Sequence, residues 1–156
     1  MFNAVIDAPF GKIGIRLEAD AVREIVYLPE SVQNVAPDTP LAKEAVQQIE
    51  RYLESPAAPF DLPLAAIGTA FQRRVWAGIS AIPPGVVLTY GQLAKEVGSV
   101  PRAVGQACGS NYFPLVIPCH RVVASGGIGG FAYHAGDDFF RNVKRWLLAH
   151  EGVSYA

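Results

Sequence analysis

A cysteine and a histidine stand side by side at Cys119 and His120, after Pro118 and before Arg121. A thiol of ordinary pKa is only slightly ionised at neutral pH, so a nucleophilic cysteine needs a base or a positive field beside it. His120 and Arg121 are the nearest sources of each. The apolar, β-branched run Leu115–Val116–Ile117 reads as a short buried strand ending at Pro118, whose ring stiffens the backbone that presents the thiol. His120 to Val123 read as a resumed extended pattern. Neighbours on a strand point to opposite faces, so His120 would reach the sulfur only across a kink or through a water. A buried structural cysteine is the competing reading.

Cys108 lies among the small residues Ala103, Gly105, Ala107 and Gly109 and reads as a packing residue. A Cys108–Cys119 disulfide is disfavoured in a reducing compartment. The two cysteines and His120, His134 and His150 show neither Cys-x-x-Cys nor His-x-x-x-His spacing, so no metal site is expected. Glu151 follows His150 where a helix should end, and a carboxylate there faces an unfavourable dipole. It should be either solvated or matched by an imidazolium or an arginine. Asn111, Tyr90 and Arg102 read singly as surface polar groups. Arg102 starts a helix, where side chains of helix-turn-helix proteins reach DNA.

Periodicity outlines the elements that must position these groups. Phe2, Ala4 and Ile6 alternate, Pro9–Phe10–Gly11 turns, and Ile13, Ile15 and Leu17 alternate again. A turn at Ala19–Asp20 and a third strand through Ile25, Val26 and Tyr27 complete an antiparallel meander. A helix follows with Leu41, Ala45, Ile49, Tyr52 and Leu53 on its apolar stripe and Lys43, Glu44, Gln47, Gln48, Glu50 and Arg51 facing water. The proline-bearing stretch 55–63 reads as a linker between domains at 1–68 and 69–156. Thr69 with Gln72, and Thr89 with Gln92, are capping boxes that open helices. Pro83–Pro84–Gly85 stops the first, and Gly98 ends the second in a left-handed turn. Ser99 is expected to cap a further helix from about Val100 to Gly109. Two short helices joined by a glycine turn outline a helix-turn-helix, or equally two helices packed inside the protein. Asp137 or Asp138 caps a last helix bearing Phe139, Phe140, Val143, Trp146 and Leu147, closed by Gly152.

With 156 residues, 51% apolar and 17% charged, the chain can bury a core and is neither disordered nor fibrous. No apolar run approaches the ~20 residues of a membrane span, and the N-terminus lacks the order of a signal peptide. A soluble cytoplasmic protein without a membrane partner is expected. The net charge of −1 argues at first against nucleic acid. Yet residues 1–70 hold five bases against ten acids, and residues 71–156 eight bases against four acids. A basic second half is compatible with DNA binding confined to it.

IPCHRVV at 117–123 resembles the active-site signature of the O6-alkylguanine-DNA alkyltransferases, also called methylated-DNA–protein-cysteine methyltransferases. The likeness continues through FQRRVW (71–76), IPPG (82–85), TYGQLA (89–94) and RAVGQACGSN (102–111), then GGF (129–131) and KRWLLAHEG (144–152). It covers about half of the chain, and the N-terminal half matches only in layout and in FDLPL–GT (60–64, 68–69). The resemblance implies an α/β protein: a ribonuclease-H-like N-terminal antiparallel sheet plus helix, packed on a mostly helical C-terminal domain with a helix-turn-helix. It implies DNA repair by direct reversal of damage. The helix-turn-helix would enter the minor groove of double-stranded DNA and flip an O6-alkylguanine into a pocket, with O4-alkylthymine as a further candidate substrate. Cys119 would then take the alkyl group once and irreversibly.

The same resemblance assigns roles. His120 would remove the thiol proton through a water, Glu151 would polarise His120, and Asn111 would fix the turn behind the site. Arg102 would fill the vacated stack and Tyr90 would push or hold the flipped nucleotide. Ala103, Gly105 and Gln106 would lie against the DNA, and Pro114, Val122, Phe131 and Ala132 would line the guanine pocket. No cofactor is expected, and the protein should act as a monomer. Three departures stand out. The turn from Gly98 to Arg102 is short for the family, and Phe131 replaces a usual tyrosine. The stretch 132–142 is longer than expected and lacks paired glycines, which should alter access for alkyl groups larger than methyl. The rivals are a cysteine hydrolase, for which no oxyanion motif is evident, and a non-catalytic lesion-recognition protein, which the presence of Cys119 opposes.

Overall fold

The apolar alternation of the first residues becomes a three-stranded antiparallel sheet in the order β1-β2-β3. Its strands are β1 (Ala4–Ala8), β2 (Gly11–Glu18) and β3 (Ala21–Leu28). The computed structural model describes residues 1–128 and 138–154, in two compact units, Met1–Ala66 and Ile67–Ala156. Facing pairs such as Ala4 with Ile15 and Ile13 with Tyr27 bring the predicted apolar residues together. All four are buried, as are Val22 and Ile25.

α1 (Pro40–Glu54) is capped by Thr39, whose hydroxyl accepts from the Ala42 N–H at 3.1 Å. Its buried stripe is rotated from the expected one and runs through Ala42, Ala45, Val46, Ile49 and Tyr52. Leu41 and Leu53 are half-buried, whereas Gln48, expected in water, is buried. Its amide donates to the Asp61 carbonyl at 3.1 Å and accepts from the Asp61 N–H at 2.8 Å. A buried amide satisfied in this way costs little, and it fastens the chain after the helix. The stretch read as a linker is therefore pinned to the first unit. Further along, the Val22 N–H donates to the Pro63 carbonyl at 2.7 Å and the Ala65 N–H to the Val22 carbonyl at 2.8 Å, covering part of the β3 edge.

The second unit contains α2 (Ala70–Ser80), α3 (Tyr90–Val97), α4 (Pro101–Gly109) and α5 (Asp138–His150). Both capping boxes form, Thr69 with Gln72 and Thr89 with Gln92. Gly98 ends α3 at φ 70° and ψ 46°, backbone that favours glycine. α4 begins one residue later than expected, and Val100 rather than Ser99 is its N-cap. A residue before proline is disfavoured in helical backbone, so Val100 stays extended at φ −118° and ψ 154°. α4 buries Val104, Ala107 and Cys108, and the Trp76 indole of α2 donates to the Ala107 carbonyl at 2.8 Å. Beyond α5, Gly152 has φ 89°, its N–H donating to the Ala149 carbonyl at 3.0 Å and the Val153 N–H to Leu148 at 2.8 Å. That pair of bonds is a Schellman closure. Asp137 lies outside the described residues. Among the described residues no helix is long and apolar enough to cross a membrane.

Candidate active site

The segment before the cysteine is a turn, not the strand its β-branched run suggested. Leu115 has φ 75°, and the Ile117 N–H closes onto the Phe113 carbonyl at 2.8 Å. Pro114 and Pro118 bracket the run and offer no N–H, which disfavours a regular ladder. Asn111 staples the turn instead. Its side-chain oxygen accepts from the Phe113 N–H at 2.9 Å, and its Nδ2 donates to the Ile117 carbonyl at 2.9 Å. The same carbonyl accepts the Cys119 N–H at 2.8 Å across Pro118, whose φ −79° and ψ 67° make an inverse γ-turn. Cys119–Arg121 then form one 3-10 turn. Only Val122–Val123 are extended, as β5, paired in parallel with β4 (Leu88–Thr89). The extended pattern expected from His120 thus begins two residues later, and strand alternation does not separate Cys119 from His120.

The two residues that follow Cys119 in the 3-10 turn build a buried polar group with Glu151. His120 is fully buried, with Nε2 2.9 Å from Oε2 of Glu151. Arg121 holds the same carboxylate through Nε at 2.9 Å and Nη2 at 2.8 Å, while Nη1 donates to the Ile82 carbonyl at 2.6 Å. Glu151 is buried, so the solvated alternative is excluded, and it is matched by the arginine, with His120 as a further partner. An ionised carboxylate only accepts, so a neutral His120 carries its proton on Nε2 and leaves Nδ1 as a bare acceptor. Nδ1 is buried and finds no hydrogen-bond partner among the described residues. Burial lowers the His120 pKa below its ordinary value, against the pull of Glu151, so the ring is neutral at neutral pH.

Burial raises the Cys119 thiol above its ordinary value, while a hydrogen bond from the Asn111 side chain and the charge of Lys144 work the other way. The resting sulfur is therefore a thiol that needs a base during reaction. Cys108 is buried too, with its thiol pushed up to about 12, in keeping with a packing role. Burial also raises Tyr90, so its hydroxyl keeps its proton.

Lys144 was not singled out from the sequence. It is fully buried in α5, with Nζ donating to the Val122 carbonyl at 2.8 Å and lying 5.9 Å from the Tyr90 ring centroid. Burial lowers its pKa to about 8, the two thiols opposing. The signal was present in the spacing: Lys144, Leu148 and Glu151 fall at i, i+4 and i+7, one buried helical face carrying a cation and an anion. Replacing Lys144 by Met removes the cation that favours the thiolate, and should slow reaction at Cys119 by about tenfold at neutral pH, a shift of about one pKa unit. The two proteins should converge above pH 8, where the wild-type ammonium is itself lost. A pH series of the rate at which Cys119 reacts with a small thiol reagent, on both proteins, checks this.

Arg102 and Gln106 are exposed on α4, with Ala103 and Gly105 half-buried beside them. A Cβ on Gly105 would meet nothing within 4 Å, so the helix is open there to close approach. Tyr90 opens α3 next to β4, which ties it to the backbone of Val122–Val123. Pro114 is buried in the stapled turn. Phe131, Ala132 and most of the long loop lie outside the described residues.

A family model described as 6-O-methylguanine DNA methyltransferase, DNA binding domain, matches residues 70–153. The chain belongs to the 6-O-methylguanine DNA methyltransferase family. The methylated-DNA–protein-cysteine methyltransferase of Methanosarcina acetivorans is 33% identical over 97% of this chain and 99% of its own length. The constitutive methylated-DNA–protein-cysteine methyltransferase of Bacillus subtilis is 36% identical over 99% of this chain and 97% of its own length. A crystal structure of Mycobacterium tuberculosis OGT in complex with DNA matches with a TM-score of 0.79 at 31% identity, covering 95% of this chain and 91% of that one. The methyltransferase-family match begins at α2 and runs past α5. Cys119, His120, Glu151, Asn111 and Lys144 all fall inside it.

Proposed function

We propose that this protein repairs DNA by moving the alkyl group of O6-alkylguanine onto Cys119, once per molecule. The observation that carries this is the buried Cys119–His120–Glu151–Arg121 group, on a turn stapled by Asn111, inside the span that matches the methyltransferase family. Nδ1 of His120 takes the thiol proton through a bridging water. Glu151, held ionised by Arg121, balances the imidazolium that forms. The sulfur bonds to the alkyl carbon as the carbon–O6 bond breaks, and the thiol proton ends on the departing guanine. Atoms and electrons balance without a cofactor. The product is a thioether, a poor leaving group, so the site is spent.

α3 and α4 act as the helix-turn-helix, set in the minor groove of duplex DNA, with the first unit as a ribonuclease-H-like scaffold. Flipping the nucleotide costs a few kcal/mol, least for a weakly paired damaged base. Arg102 fills the gap in the stack, and the protonated Tyr90 holds the extruded nucleotide. Ala103, Gly105 and Gln106 lie against the DNA. Pro114, Val122, Phe131 and Ala132 line the guanine pocket, and O4-alkylthymine is a second substrate for it. The protein works as a monomer.

Incubation with excess alkylguanine duplex should add one alkyl group per chain and then stop. Continued release of the corresponding alcohol would mean a hydrolase, and tight binding without transfer a lesion-recognition protein. Alkylation also adds volume at a buried site, so the alkylated protein should be less stable by about 1–3 kcal/mol. Thermal melts before and after transfer measure it, and an unchanged midpoint would contradict it.

A further inference from the structure

Val100 and Pro101 form an exposed apolar tip to which the proposed function gives no task. Val100 is 59% exposed, against 43% for Val86 and 37% for Tyr112. It sits at the N-cap of α4 yet makes no side-chain capping bond, where serine, threonine, aspartate or asparagine would satisfy an open N–H. Pro101 has no N–H of its own to offer at that end. The side chains that flank the open end of α4 are thus apolar. They border a shallow groove also lined by Thr89, Gly91, Lys95 and Ser99. The next residue is Arg102, itself exposed.

Resting on the reading that α4 enters the minor groove with Arg102 in place of the flipped base, we propose that Val100 and Pro101 are a wedge. They pack against the apolar deoxyribose walls and the opened base step beside the extruded nucleotide. Minor-groove proteins set apolar side chains against unstacked steps in this way, and such contacts make no demand for donors. Proline fixes its own φ and holds Val100 extended, so Val100, Pro101 and Arg102 project as one stiff unit. The short turn after Gly98 then has a purpose: it trades reach for rigidity. Lys95 on the groove rim supplies the positive charge that suits the flanking backbone.

The test uses Val100→Ser, which supplies the missing cap acceptor and so does not endanger the fold, and Val100→Leu, which keeps the tip apolar. Transfer rates are measured from an alkylguanine duplex and from free O6-benzylguanine, together with the salt dependence of duplex binding. Val100→Ser should lower the ratio of duplex rate to free-base rate about fivefold, with the salt slope unchanged, and Val100→Leu should retain the ratio. An unchanged ratio in Val100→Ser, or a reduced salt slope of the kind a lost phosphate contact gives, overturns the wedge. Failure of the unsubstituted protein to accept alkyl from any duplex would instead overturn the reading beneath it.

Discussion

Glu151→Ala should destabilise the fold by about 3–5 kcal/mol, because it leaves a buried arginine without its carboxylate. Arg121 donates twice to Glu151 and once to the Ile82 carbonyl, and only the last bond survives. His120 simultaneously loses the acceptor that fixes its tautomer, so transfer should fall by at least about a hundredfold, the scale of a lost general base. Denaturant unfolding and single-turnover transfer report the two effects separately. Adding Arg121→Met to Glu151→Ala removes the orphaned charge and should recover most of the stability while leaving transfer low. Recovery of both together would mean that Glu151 acts only through the fold.

His120→Ala should slow transfer by about 10²–10⁴-fold with little change in DNA binding, and the pH profile distinguishes its role. Burial holds the His120 pKa below 6.5, so the wild-type rate should be level through neutrality and, on the acid side, fall as pH drops below that value. A raised thiol working without a base would instead gain about tenfold per pH unit up to and beyond pH 9. Stability moves with the same group. The unfolded chain takes up a proton near pH 6.5 that the buried ring resists. The stability present above that pH is therefore lost as pH falls toward the lower folded value.

Local rules in the sequence went far. Both capping boxes, the left-handed turn at Gly98 and the closure at Gly152 stand where their residue types put them. Each depends only on neighbours within a turn. The failures share a non-local cause. Leu115–Val116–Ile117 satisfies a buried strand as well as a buried turn, and the side chain that decides is Asn111, outside the run. Gln48 looks solvated on its helix until the Asp61 backbone reaches it. Lys144 reads as a surface base unless Leu148 and Glu151 are placed on the same face. At the site itself the cysteine, histidine and glutamate were legible. The arginine clamp and the Ile82 carbonyl behind it were not, because they are joined only by folding.

The most direct test maps the transferred group. After reaction with an alkylguanine duplex and proteolysis, the added mass should lie on the peptide carrying Cys119 and be absent from Cys119→Ser. Alkyl found on Cys108, or transfer persisting in Cys119→Ser, would contradict the account.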